Sequence, residues 1–236
     1  MSRQFMKVDA STPIDVVAKI AMKRDPLHLY DFITITKEDN YFGIVTVKDL
    51  LEKSMQLEID YAKHLNPLTE LPGNIIIEQQ LQKCIESSND LIVLYLDIDN
   101  FKPYNDVYGF EKGDKVIIDL AKILEKVCPS EGFIGHIGGD DFILITDIAR
   151  CKDVCEEIIE QFNQSIEHYY YAYDYIKEYI ISKNRHGVEE HFPLLSISIA
   201  GLTNRESHTI YELSENATKL KKQCKQLIGS NYLIQY

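Results

Sequence analysis

A mixed α/β fold is predicted for this chain by three segments between residues 91 and 146. Leu91-Ile92-Val93-Leu94-Tyr95-Leu96 is a nearly continuous apolar run. It marks a central strand buried on both faces, because a strand wetted on one side would alternate. Lys115 to Val127 carries the spacing of an amphipathic helix. Phe133 to Ile137 and Asp140 to Thr146 are strand-like runs joined by Gly138-Gly139, which reads as a hairpin with a glycine turn.

The remaining elements follow in chain order. The first segment reads as strand, helix, strand, strand, helix. Thr12-Pro13 predicts an N-cap followed by proline at the first helical position, with Ile14, Val17, Ala18 and Ala21 on one face. Phe32 to Thr36 and Tyr41 to Val47 are strands around the turn Lys37-Glu38-Asp39-Asn40. A helix from about Lys48 to Leu65 carries the stripe Leu51, Met55, Ile59, Ala62 and Leu65, which suits packing on its own domain or on the same helix of a second chain. Asn66-Pro67 ends it, and a domain boundary is placed there. Beyond it, Ile75 to Ile85 is a helix and Val154 to about Tyr179 is largely helical. Leu194 to Leu202 is a strand, Ile210 to Lys225 a helix and Tyr232 to Ile234 a last strand.

Composition narrows the function classes. With 45% hydrophobic and 26% charged residues in 236, the chain has the make-up of an ordinary globular protein. It has no apolar run of about 18 residues, the length that crosses a bilayer, and its start lacks the apolar core of a signal peptide. A net charge of −12 argues against a general nucleic-acid binder, which needs a basic face. It leaves room for a nucleotide whose phosphates meet carboxylates through a divalent cation. The five cysteines form no CxxC pair, and their odd number gives no disulfide framework, as expected of reduced thiols in a cytoplasm.

The chemistry gathers in two places. Asp97-Ile98-Asp99-Asn100-Phe101-Lys102 ends the buried strand, and Gly138-Gly139-Asp140-Asp141-Phe142 forms the hairpin tip. Carboxylates at the ends of apolar strands are costly to desolvate without a cation or hydrogen bonds. If strand and hairpin are neighbours, Asp97 and Asp140 point at one spot and suit Mg²⁺ or Mn²⁺. The other reading is structural: Asp-x-Asp as a turn or cap, and Gly-Gly-Asp as a common turn.

LYLDIDNFKPYNDVYGFEKGDKVI followed by GHIGGDDFILI closely resembles GGDEF domains, the diguanylate cyclases. NPLTELPGN at 66–74 resembles the family's opening signature, and LLSISIAG at 194–201 its late strand. The resemblance covers residues 67–236 and implies a ferredoxin-like palm, βαββαβ, that binds GTP with Mg²⁺ or Mn²⁺ and joins two GTP into cyclic di-GMP. By position it implies Asp97, the Ile98 carbonyl and Asp140 as metal ligands. Asp140 would also help deprotonate the attacking hydroxyl, and Asp141 would complete the acidic cluster. Asn105 and Asp114 would hydrogen-bond guanine, whose N1 and N2 are donors that a carboxylate accepts. The main chain of Asn100 and Phe101, with Lys102 and Lys225, would hold phosphate, and Gly138 and Gly139 would let backbone approach it. For Asn105 and Asp114 the competing reading is a helix cap and a turn.

Several positions depart from the family pattern. Asp141 stands where glutamate is usual, Phe110 replaces the histidine of Tyr-Gly-His, and CKQLIGSN at 224–231 has an extra residue with Ser230 in the place of an arginine. Pro129-Ser130-Glu131-Gly132 replaces the RxxD of the product-inhibition site, so no such feedback site is expected. Residues 163–193 are longer than the usual connection, and their tyrosines read as helix packing or an interface. These departures set an alternative beside the cyclase: a catalytically weak GTP-binding module controlling an attached domain such as an EAL phosphodiesterase.

Residues 1–57 resemble one CBS motif through TPIDVVAKIAMKR and YDFITITKEDNYFGIVTVKDLL, with residues 58–66 as a connecting helix. CBS motifs pair to bind adenine nucleotides, so either two chains share that site or the chain is cut from a longer protein. Thr46 and Asp49 match the family's ribose and phosphate positions, and exposed turn polarity explains them equally. A homodimer through this unit and the connecting helix is the implied assembly.

Overall fold

The computed structural model describes residues 5–183, 187–205 and 207–235. The first four residues, part of the start considered above, and 184–186 within the long connection lie outside the described residues. Two compact units divide the chain, Met1–Lys63 and His64–Tyr236. Among the described residues no helix is long and apolar enough to cross a membrane.

In the first unit, β1 (Met6–Asp9) pairs parallel with β2 (Ile33–Lys37), which pairs antiparallel with β3 (Asn40–Val45). Glu38 and Asp39 both take positive φ, the two-residue turn whose twist matches a hairpin. Helix α1 (Ile14–Ala21) begins one residue later than a Thr12 cap would place it: Pro13 itself is the N-cap, without a side-chain cap bond. Helix α2 (Val47–Ala62) is capped by Thr46, whose hydroxyl accepts from the Asp49 amide and donates to the Asp49 carboxylate. It stops short of Leu65, because nearby polar groups bond across the following loop instead: the His64 carbonyl accepts from Gly73 N–H, and Asn66 N–H donates to Leu71. Val47 and Leu50 are buried with α1, whereas Met55 and Ile59 of the apolar stripe stay exposed.

The second unit is a five-stranded sheet in the order β10-β9-β4-β6-β5. Its strands are β4 (Leu91–Asp99), β5 (Phe133–Gly138), β6 (Asp141–Asp147), β9 (Ser196–Thr203) and β10 (Asn231–Gln235). Strand β4 is central and antiparallel to both neighbours. Without β10, the order is that of the βαββαβ palm. Alternation along β4 divides the core. Ile92, Leu94, Leu96 and Ile98 face a layer containing α5 (Phe110–Val127) and α6 (Cys151–Ser165). Val93 and Tyr95 face α3 (Asn74–Glu86) and α8 (Ile210–Cys224). That period of two carries Asp97 to the α8 side. All five cysteines are free.

The stretch from Val154 to about Tyr179 is largely helical, as read from the sequence: α6 is followed by a 3₁₀ turn (Ile166–Tyr169) and the short α7 (Ala172–Lys177). Between there and Leu194, where the sequence reading places no element, the structure adds a hairpin of β7 (Tyr179–Lys183) and β8 (Glu189–Pro193). Ile180 and Ser182 are buried on one face of β7, the two-residue period of a strand. Tyr169 and Tyr170 are core residues, whereas Tyr171 and Tyr173 are exposed.

Candidate functional site

The acidic residues converge at one end of the sheet. Asp97 lies opposite Asp141 in the β4–β6 ladder, and the Asp140 carbonyl accepts from the Ile98 amide at 3.4 Å. The turn between β5 and β6 needs its glycines: Gly138 has φ 146° and Gly139 φ 58°, and an added Cβ at either would meet open space. Backbone strain, rather than crowding, excludes a side chain there. His136 braces the turn from below. Its ring stacks on Phe142 at 4.3 Å, its Nε2 lies 3.0 Å from the Gly139 carbonyl and its Nδ1 3.0 Å from Thr69 Oγ1. Thr69 belongs to the loop of the opening signature, so that loop and the acidic turn are tied through one buried imidazole.

Two lysines of the α8 region reach into the acidic end. Lys225 Nζ lies 2.5 Å from Asp97 Oδ1, and Lys221 Nζ lies 2.9 Å from Asp97 Oδ2 while also pairing with Asp141. Burial pushes the Asp97 carboxyl up, but the two ammonium groups outweigh it and hold the group below its ordinary value. Burial, then the charge of Asp97, raises Asp140. Asp99 is also raised, chiefly by burial, although the hydroxyls of Ser196 and Ser198 donate to it.

Asp97, Asp140 and the Ile98 carbonyl are hard oxygen donors of the kind that fits a small divalent cation. Among the described residues no three acidic, His or Cys side chains form a complete cage. An ion seated here would therefore draw further oxygens from main chain, water or phosphate, as small hard cations usually do.

Asn100 takes a left-handed conformation (φ 60°) as the N-cap of α4 (Phe101–Tyr108), and its side chain donates to the Leu194 carbonyl. Lys102 is exposed on the first turn of α4, while Phe101 is buried. A cavity of about 640 Å³ beside them is lined in part by Asp99, Asn100, Ser196, Lys225 and Ser230. Ser230 accepts from the Ile197 amide and donates to Asn163, so it serves the fold at the position where arginine is usual.

The cap-and-turn reading of Asn105 and Asp114 does not hold. Asn105 lies within α4, and α5 starts at Phe110, five residues before the predicted Lys115, so Asp114 is inside the helix. The chain turns the corner between the helices at Gly109, with φ 84°. Gly113 lets the two helices meet: a Cβ there would lie 1.9 Å from Asn105 Oδ1. That oxygen is buried without a hydrogen-bond partner, and Asp114 is exposed.

Comparison with known proteins agrees with this architecture. The profile described as "Diguanylate cyclase, GGDEF domain" matches residues 63–226, and the CBS domain profile matches residues 1–56. Over 113 residues the chain is 31% identical to the bifunctional diguanylate cyclase/cyclic di-GMP phosphodiesterase MucR of Pseudomonas aeruginosa, covering 45% of this chain and 16% of that protein. Over 130 residues it is 32% identical to the signaling protein YkoW of Bacillus subtilis, covering 51% and 16%. The chain thus spans about a sixth of the length of these relatives. Among solved structures, the diguanylate cyclase SiaD of P. aeruginosa, in complex with its activator SiaC, aligns with a TM-score of 0.60 at 18% identity, over 80% of this chain and 68% of that one. The coiled coil and GGDEF domain of DgcB from Caulobacter crescentus, in complex with c-di-GMP, aligns at 0.58 and 21% identity, over 80% and 93%. With a carboxylate-bearing palm sheet and a profile match spanning most of its length, the chain belongs to the GGDEF diguanylate cyclase family and carries a CBS domain ahead of that fold.

Proposed function

We propose that this chain condenses two GTP molecules into cyclic di-GMP, releasing two pyrophosphates, as a cytoplasmic homodimer. The convergence of Asp97, Asp140 and Asp141 at the sheet end, with Lys225 beside them, carries this reading. A divalent cation, Mg²⁺ or Mn²⁺, held by Asp97, Asp140 and the Ile98 carbonyl would polarise the α-phosphate and ease deprotonation of the attacking hydroxyl.

The chain's own groups do the positioning. Asn105 Oδ1, a buried acceptor with no partner, takes a guanine N–H, and Asp114 accepts the others; adenine offers no such pair of donors. Lys102, Lys225 and the main chain of Asn100 and Phe101 hold phosphate oxygens, and the open backbone at Gly138-Gly139 lets the triphosphate approach. The 3′-oxygen of one GTP bonds to the α-phosphorus of the other, the bond to the β-phosphate oxygen breaks, and Asp140 receives the proton. A second, reciprocal attack closes the ring, which requires two domains face to face. The exposed stripe of α2 and the single CBS motif, half of an adenine-nucleotide site, suit pairing of two chains.

The decisive test incubates purified protein with GTP and Mg²⁺ or Mn²⁺ and measures cyclic di-GMP and pyrophosphate, expected in a 1:2 ratio. Asp140→Ala should remove both. Bound GTP with no product in the unsubstituted chain defeats the cyclase reading.

A further inference from the structure

Lys221 lies on the inward side of α8, one turn before Lys225. Its neighbours on that side, Ala217, Leu220 and Cys224, are buried apolar residues. A lysine is seldom buried unless paired, and this one bridges carboxylates from two strands: Asp97 on β4 and Asp141 on β6. The two lysines differ in freedom. The Lys221 side chain is 19% exposed and tied to two partners, whereas Lys225 is 44% exposed and contacts Asp97 alone.

Asp97 and Asp141 are direct cross-strand neighbours. Like charges in that relation repel unless a cation lies between them, and the Lys221 ammonium is in that place. We infer that Lys221 occupies a cation position between Asp97 and Asp141, supplying as a side-chain charge what a divalent ion would otherwise bring there. The inference rests on the acidic end being the GTP and metal site. It gives the departure at position 141 a purpose: the aspartate holds the lysine. It also sets the expected cation demand, with an ion needed on the Asp140 side and none between Asp97 and Asp141.

The test counts bound Mn²⁺ on the full chain without nucleotide, from the electron paramagnetic resonance signal of the free ion. Lys221→Met should bind one Mn²⁺ per chain more than the unsubstituted protein, and Lys221→Arg should bind no more. Adding Asp141→Asn to Lys221→Met should cancel the gain. Lys221→Gln serves as a second neutral variant if the methionine chain does not fold, with circular dichroism checking each. An unchanged count in the folded neutral variants overturns the assignment, as does a gain that survives Asp141→Asn. A parallel titration with α,β-methylene GTP reads nucleotide binding separately. Failure to bind it would remove the GTP reading, while the Mn²⁺ difference still decides the role of Lys221.

Discussion

Asp97 stands directly across the β4–β6 ladder from Asp141, and both reach the same ammonium, that of Lys221. Asp97→Asn therefore affects fold and chemistry together. Turnover should fall by ~10²-fold or more, the scale of losing one preorganised electrostatic group. Destabilisation should stay below the ~3–5 kcal/mol of breaking a wholly buried pair, because Lys221 keeps Asp141 and Lys225 is partly solvated. Product assay and urea unfolding measure the two effects. Full turnover in a folded Asp97→Asn chain would take Asp97 out of the reaction.

Gly113→Ala separates nucleotide binding from stability. The new methyl would press on Asn105 Oδ1 and force that side chain to turn. Alanine meanwhile favours the helix by ~1 kcal/mol, so overall stability should change little. Loss of one well-aligned hydrogen bond to guanine, worth ~1–1.5 kcal/mol, predicts roughly tenfold weaker GTP binding by calorimetry. Unaltered affinity would show that Asn105 does not touch the base.

The chemistry-bearing strand and turn were legible because apolar runs that end in carboxylates, and glycine pairs between strands, have few other physical explanations. Two groups were not. Lys221 sits among Lys219 and Lys222, and a lysine-rich helix reads as a solvated face; only the inward spacing Ala217, Lys221, Cys224 hinted otherwise. His136 looks like a lone polar residue in a short strand until Thr69, 67 residues away, is brought against it. The β7–β8 hairpin was hidden for a different reason. Its strands are five residues each, and the tyrosines before them carry no period that separates strand from helix.

Tyr108 anchors the long connection to α4. Its hydroxyl donates to the buried Asp174 at 2.5 Å and accepts from the Tyr171 amide at 3.2 Å. Burial, then the Asp174 carboxylate, raises the phenol above its ordinary value, so it remains a donor at neutral pH. Tyr108→Phe keeps the ring stacked on Tyr104 but takes one donor from the buried Asp174 carboxylate, a cost of ~1–3 kcal/mol. Hydrogen exchange should quicken over α7, whereas Tyr211→Phe, at an exposed ring on α8, should leave both stability and exchange unchanged. Equal effects from the two substitutions would deny the anchor.

His136 gives the fold a pH dependence with a definite sign. Burial lowers its pKa below the ordinary 6.5, against opposing pulls from the Gly139 carbonyl and the Asp141 charge. The folded chain therefore binds fewer protons than the unfolded one at pH values between the folded pKa and 6.5, and stability rises with pH across that window. The contribution is fully present above the unfolded value and is lost as acid carries the pH down through the folded one. The neutral ring also suits its partners: Nε2–H donates to Gly139 and Nδ1 accepts from Thr69, whereas a protonated ring would offer Thr69 a second donor. Urea midpoints between pH 5 and 8 should fall on the acid side for the natural chain. They should flatten there for His136→Gln, which keeps a polar group under the turn but does not titrate. If the two profiles run parallel, the imidazole is not the group that couples protonation to the acidic turn.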